Sequence, residues 1–384
     1  MAIRTRARSR AALTGLAAVL ALSACGAQDE PAATEIADPL AVSYDGGIYL
    51  LDGQNLTVAK KLELAGFNRL NPAGDDHHLM VSTKEGFQVL DAVHGEFTDI
   101  TFPGAKPGHV VRHADRTVLF TDGTGEVRIF DPHELEHGAP KTVNYKAAAP
   151  HHGVAVELTN GQLVVTLGTE EKRTGIVVLD KDRREIARNE DCPGVHGEST
   201  VAGEAVVIGC QTGALVYRDG VITKVTSPTP YGRIGNQAGS DASPIALGDY
   251  KQDKNAELER PQQVSLIDTR NNSLRLVPLG TSYTFRSLAR TAQGDGLVLG
   301  TDGRIHVIDP VAGKVTRSFP VIGAWEEPLE WQQPRPAIFV RGGDVFVSDP
   351  ATKQIHRVDL AGGKVAQSVT LESTPNEISG VLAH

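Results

Sequence analysis

Residues 108–145 read GHVVRHADRTVLFTDGTGEVRIFDPHELEHGAPKTVNY. Four short β-prone runs follow one another here, separated by turn residues: Asp-Gly, Gly and Pro. The third run ends in aspartate, and the same ending recurs along the chain. YLLD closes at Asp52, QVLD at Asp91, RIFD at Asp131, VVLD at Asp180, VYRD at Asp219, SLID at Asp268, HVID at Asp309 and HRVD at Asp359. Successive aspartates are 39, 40, 49, 39, 49, 41 and 50 residues apart. That spacing is the period of a four-stranded propeller blade. After residue 40 no segment carries a 3.6-residue apolar period, so the expectation is an all-β β-propeller.

The two ends of the chain complement each other. Residues 41–64 supply only the later strands of a unit, whereas NEISGVLAH at the C-terminus resembles the opening strand of one. Eight blades are expected, with the ring closed by N- and C-terminal strands, which removes the sheet edges. Seven is the alternative if the unit ending at Asp268 is an insertion, because DYKQDKNAELERP inside it reads as a long charged loop.

Ahead of the propeller stands an arginine-rich MAIRTRARSR followed by the short uncharged run AALTGLAAVLALSA. This is a signal-peptide layout, and the run is too short for a membrane span. It ends in Leu22-Ser23-Ala24-Cys25, the pattern of a bacterial lipoprotein cleavage site. The expected organisation is a lipoprotein signal over 1–24, lipidation of Cys25, a flexible tether to residue 40 and a propeller over 41–384. The tether is small, acidic and proline-containing. The expected location is outside the cytoplasmic membrane, periplasmic or at its outer face, with the membrane touched only through the lipid. A formal charge of −9 argues against nucleic acid or anionic lipid as a partner.

In a propeller the first strand of each blade lines the central channel, so a histidine's place within its blade matters more than its number. His109 lies 22 residues before Asp131 and His196 lies 23 before Asp219. His152 lies 28 before Asp180, in a blade with longer turns, and correcting for these brings it to the same place. Three consecutive blades thus offer an imidazole at the channel mouth. Glu198 follows His196 at i+2, on the same face of a strand. Three imidazoles and a carboxylate suit tetrahedral Zn2+, with nickel and cobalt as competitors and no thiolate to favour copper(I). His151 is an alternative ligand or a neighbour of one. The Asp75–His78 turn and His133 with His137 read mainly as solvated turns, with loose metal binding as the alternative. Arg69 and Arg286 stand in corresponding registers and need carboxylate partners or a different depth.

Cys192 enters the first strand of its blade and Cys210 ends the second. The midpoint between them falls at the VAGE turn, so a hairpin brings the two together, and export permits a disulfide.

Catalytic signatures are sparse. There is no Gly-x-Ser-x-Gly elbow and no free thiol nucleophile, and four protein ligands leave a metal no position for water. A metal-dependent lactonase or esterase, with Glu198 as base, is the enzymatic alternative. A propeller interaction module with no functional metal is the other.

At PHHGVAVEL (150–158) and CPGVHGES (192–199), in an exported propeller with cysteines flanking the second motif, the chain resembles the AztD-type periplasmic zinc metallochaperones. The resemblance covers essentially the whole propeller, and its histidine-bearing motifs fall on His152 and His196. It implies a protein that binds Zn2+ outside the cytoplasmic membrane and passes it directly to the solute-binding protein of a zinc ABC transporter. The expected protein is a monomer and not an enzyme, and it hands zinc over by ligand exchange. One departure stands out: members can carry a histidine-rich segment near the mature N-terminus, and residues 26–76 here contain no histidine.

Overall fold

The computed structural model describes residues 1–2 and 35–382. The leader, Cys25 and the tether as far as residue 34 lie outside the described residues, apart from the first two. Eight antiparallel four-stranded sheets succeed one another, seven of them built from four consecutive strands, and the fifth also pairs in parallel with Gly232–Arg233. The number of blades is therefore eight. The unit that left seven open is a true blade, and its charged loop joins Ile245–Gly248 to Gln263–Asp268.

Ring closure is as expected. Ile378–Gly380 is the innermost strand of the sheet whose other three strands are Leu40–Tyr44, Gly47–Leu51 and Val58–Glu63. The pairing runs Leu40 to Gly380 and Val42 to Ile378. Among the described residues no helix is long and apolar enough to cross a membrane.

Burial explains the sequence pattern. A blade's middle strands are covered by neighbouring blades on both faces, so Ala205–Cys210 and Leu40–Tyr44 are buried throughout, and both are almost wholly apolar, broken in the second only by Ser43. Outer strands have water on one side, and Lys364–Thr370 alternates exposed with half-buried residues. One continuous core joins Phe120 and Val127 of the third blade, Val164 and Val177 of the fourth, and Ile208 and Leu215 of the fifth. Each such side chain stabilises the fold by about 1.5–3 kcal/mol. The blades that carry His109, His152 and His196 are thereby one rigid block.

The recurring aspartate is structural. Its carboxylate accepts from backbone N–H groups of the turn that follows, as in Asp52 with Gln54 at 2.8 Å, Asp180 with Asp182 at 2.9 Å and Asp359 with Gly362 at 2.7 Å. This Asx-type turn joins the third strand to the outer one. Asp219 is different, with a left-handed backbone (φ 51°) in a tight turn. Arg69 and Arg286 find the expected carboxylate: both lie against Glu377, at 3.3 and 2.9 Å.

Candidate metal centre

Innermost strands all start at one end of the ring, and three of them deliver the histidines there. His109 lies in Pro107–His113, His196 opens His196–Val201, and His152 stands in the loop before Ala155–Glu157. Ring centroids are 5.1 Å apart for His109 and His152, 5.5 Å for His109 and His196, and 4.9 Å for His152 and His196. One donor atom from each lies within 4.8 Å of the other two.

The hydrogen bonds fix which nitrogens are free. His196 Nδ1 lies 2.5 Å from the carbonyl oxygen of Gly235, which can only accept, so Nδ1 carries the proton and Nε2 the lone pair. His152 Nδ1 lies 2.5 Å from Asp122 Oδ2, which sets the same tautomer. The two Nε2 atoms then face each other at 2.9 Å with a lone pair on each. In the neutral forms nothing bridges them; only a proton or a cation can. Desolvation first, then repulsion from His109 and His152, hold the His196 pKa well below the ordinary imidazole value, which disfavours the proton. The arrangement is suited to a nitrogen-seeking cation. Zinc, with bonds of about 2.0–2.1 Å, would draw its donors to within about 3.4 Å of one another, which side-chain rotation can supply.

Glu198 arrives by a route other than strand alternation. The ladder shifts register between His196 and Glu198, and Gly197 in the bulge has φ +70°. A Cβ at Gly197 would stand 2.4 Å from both the Gly235 carbonyl oxygen and Gln237 Oε1, so only glycine fits. Glu198 Oε2 ends 3.2 Å from His109 Nδ1 and touches only that one of the three imidazoles. A polar cavity of about 260 Å³, lined by Glu198, Arg112 and Asp241 among others, opens beside it.

His151 is not part of the cluster. It is buried, bonded through Nδ1 to the Ala149 carbonyl at 2.9 Å and through Nε2 to Thr166 Oγ1 at 3.0 Å, with its ring edge-on to Phe120. His78 is likewise internal, with Nδ1 2.6 Å from Asp75. The expected disulfide is present, Cys192 to Cys210 with Cα atoms 4.9 Å apart, both buried, where it anchors the loop leading into His196. Sequence reading missed Asp122 and the Gly235 carbonyl. Asp122 had a signal, since it sits in the Asp-Gly turn between second and third strands, which returns to the same end of the ring as the histidines.

A pH effect follows from His196. Its folded pKa is depressed, while an unfolded imidazole titrates near about 6.5. Below that pH the unfolded chain takes up a proton that the folded chain refuses, so this residue favours unfolding; above it the effect vanishes. Metal-free H196N is expected to lose less melting temperature than wild type between about pH 7 and 5. Equal slopes in both proteins would show that His196 is not held neutral.

Fold and site together define a class: eight-bladed propellers with a cluster of imidazole donors at the channel mouth. No family model matches the chain. Zinc chaperone AztD from Citrobacter koseri is 25% identical over 308 residues, which cover 75% of this chain and 71% of that protein. The resemblance to AztD-type zinc chaperones is thus borne out, and with it the reading as a non-enzyme over the hydrolase alternative. The solved structure of apo AztD from Citrobacter koseri superposes with a TM-score of 0.77 at 21% identity, covering 89% of this chain and 96% of that one. A second AztD structure from the same organism gives 0.76 over the same shares, also at 21% identity. The dihydro-heme d1 dehydrogenase NirN gives 0.61 at 11% identity, covering 90% of this chain and 75% of that one, and shares the fold alone.

Proposed function

We propose that this chain is an exported zinc chaperone that holds Zn2+ on His109, His152 and His196 and hands it to the solute-binding protein of a zinc ABC transporter. The observation that carries the reading is the pair of facing Nε2 lone pairs on His152 and His196, 2.9 Å apart, on rigid neighbouring blades. Asp122 and the Gly235 carbonyl orient these two rings through Nδ1, as outer-shell partners of zinc-bound histidines do. Glu198 is the fourth donor. Since it contacts only His109 among the three imidazoles, it is the donor most easily replaced.

Transfer is ligand exchange. The His152 side chain is 43% exposed against 22% for His109, so an acceptor's imidazole can approach from the His152 side while His196 still holds the ion. Cleavage before Cys25, lipid attachment there and the tether to residue 40 would keep a monomeric propeller, residues 41–384, at the outer face of the membrane. A disulfide fits that oxidising location.

The test is hand-over in the presence of an excess of strong chelator. Zinc-loaded chain is mixed with metal-free solute-binding protein, and zinc on the acceptor is followed. Transfer at a rate that rises with acceptor concentration, faster than zinc escapes to chelator alone, is the expected result. Transfer no faster than that escape would reject ligand exchange.

A further inference from the structure

The channel continues past the metal donors, and part of its wall carries charges that do not meet. Arg112 follows His109 by three residues on Pro107–His113 and so stands deeper. Ser199 and Thr200 follow Glu198 on His196–Val201. Gln237 belongs to Gln237–Ala238, the first strand of the sixth blade, and Asp241 lies in the turn beyond it. Together, with Glu198 at the upper edge, these residues line one polar cavity of about 260 Å³.

Among the described residues, neither Arg112 nor Asp241 has an ion pair or a hydrogen bond. Arg112 is open to solvent through the channel, yet desolvation by the protein around it pushes its pKa down to about 10. Asp241 is exposed. Ser199 is 8% exposed, and its Oγ has no hydrogen-bond partner. Neither amide atom of Gln237 has one, although both are buried. Buried polar atoms are rarely left so, and a turn about one side-chain bond brings the serine hydroxyl to the cavity. Water satisfies a hydroxyl or an amide, but it leaves the two opposite charges unneutralised.

We propose that this cavity binds a small zwitterion of the α-amino acid class, with its carboxylate on Arg112 and its ammonium on Asp241. Charge selects the class. A simple anion would be opposed by Asp241 and Glu198, and a simple cation by Arg112. A molecule with both signs a few bonds apart is opposed by neither. The guanidinium fork of Arg112 matches a carboxylate in shape as well as charge, and the Ser199 hydroxyl can donate to the same group. The volume is below the about 300–1,000 Å³ of pockets for drug-sized ligands, which suits a single amino acid and not a peptide. None of Arg112, Ser199, Gln237 and Asp241 is a donor to the three-histidine centre, so the site stands apart from the zinc reading.

Calorimetric titration of L-alanine into the zinc-free full chain at neutral pH tests this. Propionate and ethylamine serve as the same molecule without its ammonium or without its carboxylate. L-Alanine is expected to bind at one equivalent, and each half at least about ten-fold more weakly for want of one charged contact. R112Q is expected to weaken L-alanine by a similar factor. D241N is expected to weaken L-alanine but strengthen propionate, because the carboxylate that repels an anion is gone. Both positions are exposed, and circular dichroism checks that each variant is folded. No saturable binding of L-alanine at millimolar concentration would mean a cavity that holds water only, and overturns the proposal. Propionate binding as tightly as L-alanine would mean a plain anion site, and overturns it too, as does an R112Q variant that binds L-alanine like wild type. No histidine is altered and no zinc is present, so these outcomes leave the three-histidine centre untouched.

Discussion

Replacing His109, His152 and His196 together by alanine is expected to weaken tight zinc binding by at least about a thousand-fold while the propeller stays folded. The size follows from the removal of direct donors, since even the outer-shell partners of a ligand cost about 10–100-fold each. The fold survives because all three side chains stand at strand openings, outside the core that joins their blades. Graded variants separate the roles. D122N keeps the shape of the contact to His152 but loses the charge that strengthens it, and is expected to cost about 10–100-fold. E198Q is expected to cost less than any single histidine, because Glu198 meets only His109. Competition against a chelator of known affinity reads all of these, and a triple variant that binds as tightly as wild type would disprove the assignment.

The fold was legible because one structural device repeats. In seven of the eight blades the aspartate after the third strand holds its turn through the carboxylate, so the blade period survives where the rest of the sequence drifts. The end fragments were legible for a similar reason, since neither makes a complete unit alone. The site was only partly legible. Register within the blade located the three histidines, because channel-lining strands begin alike. It did not locate their orienting groups: Asp122 is 30 residues from His152 and the Gly235 carbonyl 39 from His196, joined only by ring geometry. A backbone carbonyl leaves no trace in residue identity at all. Glu198 does reach His109, but not by the plain strand alternation expected of it, because a left-handed Gly197 makes a bulge there. His151 shows the converse: an imidazole beside a candidate ligand, fully engaged in the core.

The second large effect is expected at Glu377, where the ring closes. Its backbone N–H is 3.1 Å from Ser43 Oγ and its carbonyl accepts from Ser43 N–H at 2.9 Å, so it holds the terminal strand to the N-terminal one. Its carboxylate accepts from Leu70 N–H at 3.1 Å and stands beside Arg69 and Arg286, which come from the second and seventh blades. The contact to Arg286 is a charge contact without hydrogen-bond geometry, yet both side chains are almost wholly buried. Burial, with repulsion from Arg69 and Arg335, already pushes Arg286 down to about 10. Removing the carboxylate leaves that guanidinium buried among like charges, which costs about 3–5 kcal/mol. The exposed Lys106–Glu170 pair, though shorter at 2.6 Å, contributes little by contrast. Denaturant unfolding of E377A is therefore expected to show a loss of that size, and E377Q a large part of it, since the amide keeps the shape but not the charge. An R286L/E377L double variant should recover much of the loss, because an apolar pair leaves no buried charge unpaired. If E377A unfolds within about 1 kcal/mol of wild type, the ionic contact adds nothing, and closure rests on the strand pairing of Leu40–Tyr44 with Ile378–Gly380 and the backbone bonds of Ser43 to Asn376 and Glu377.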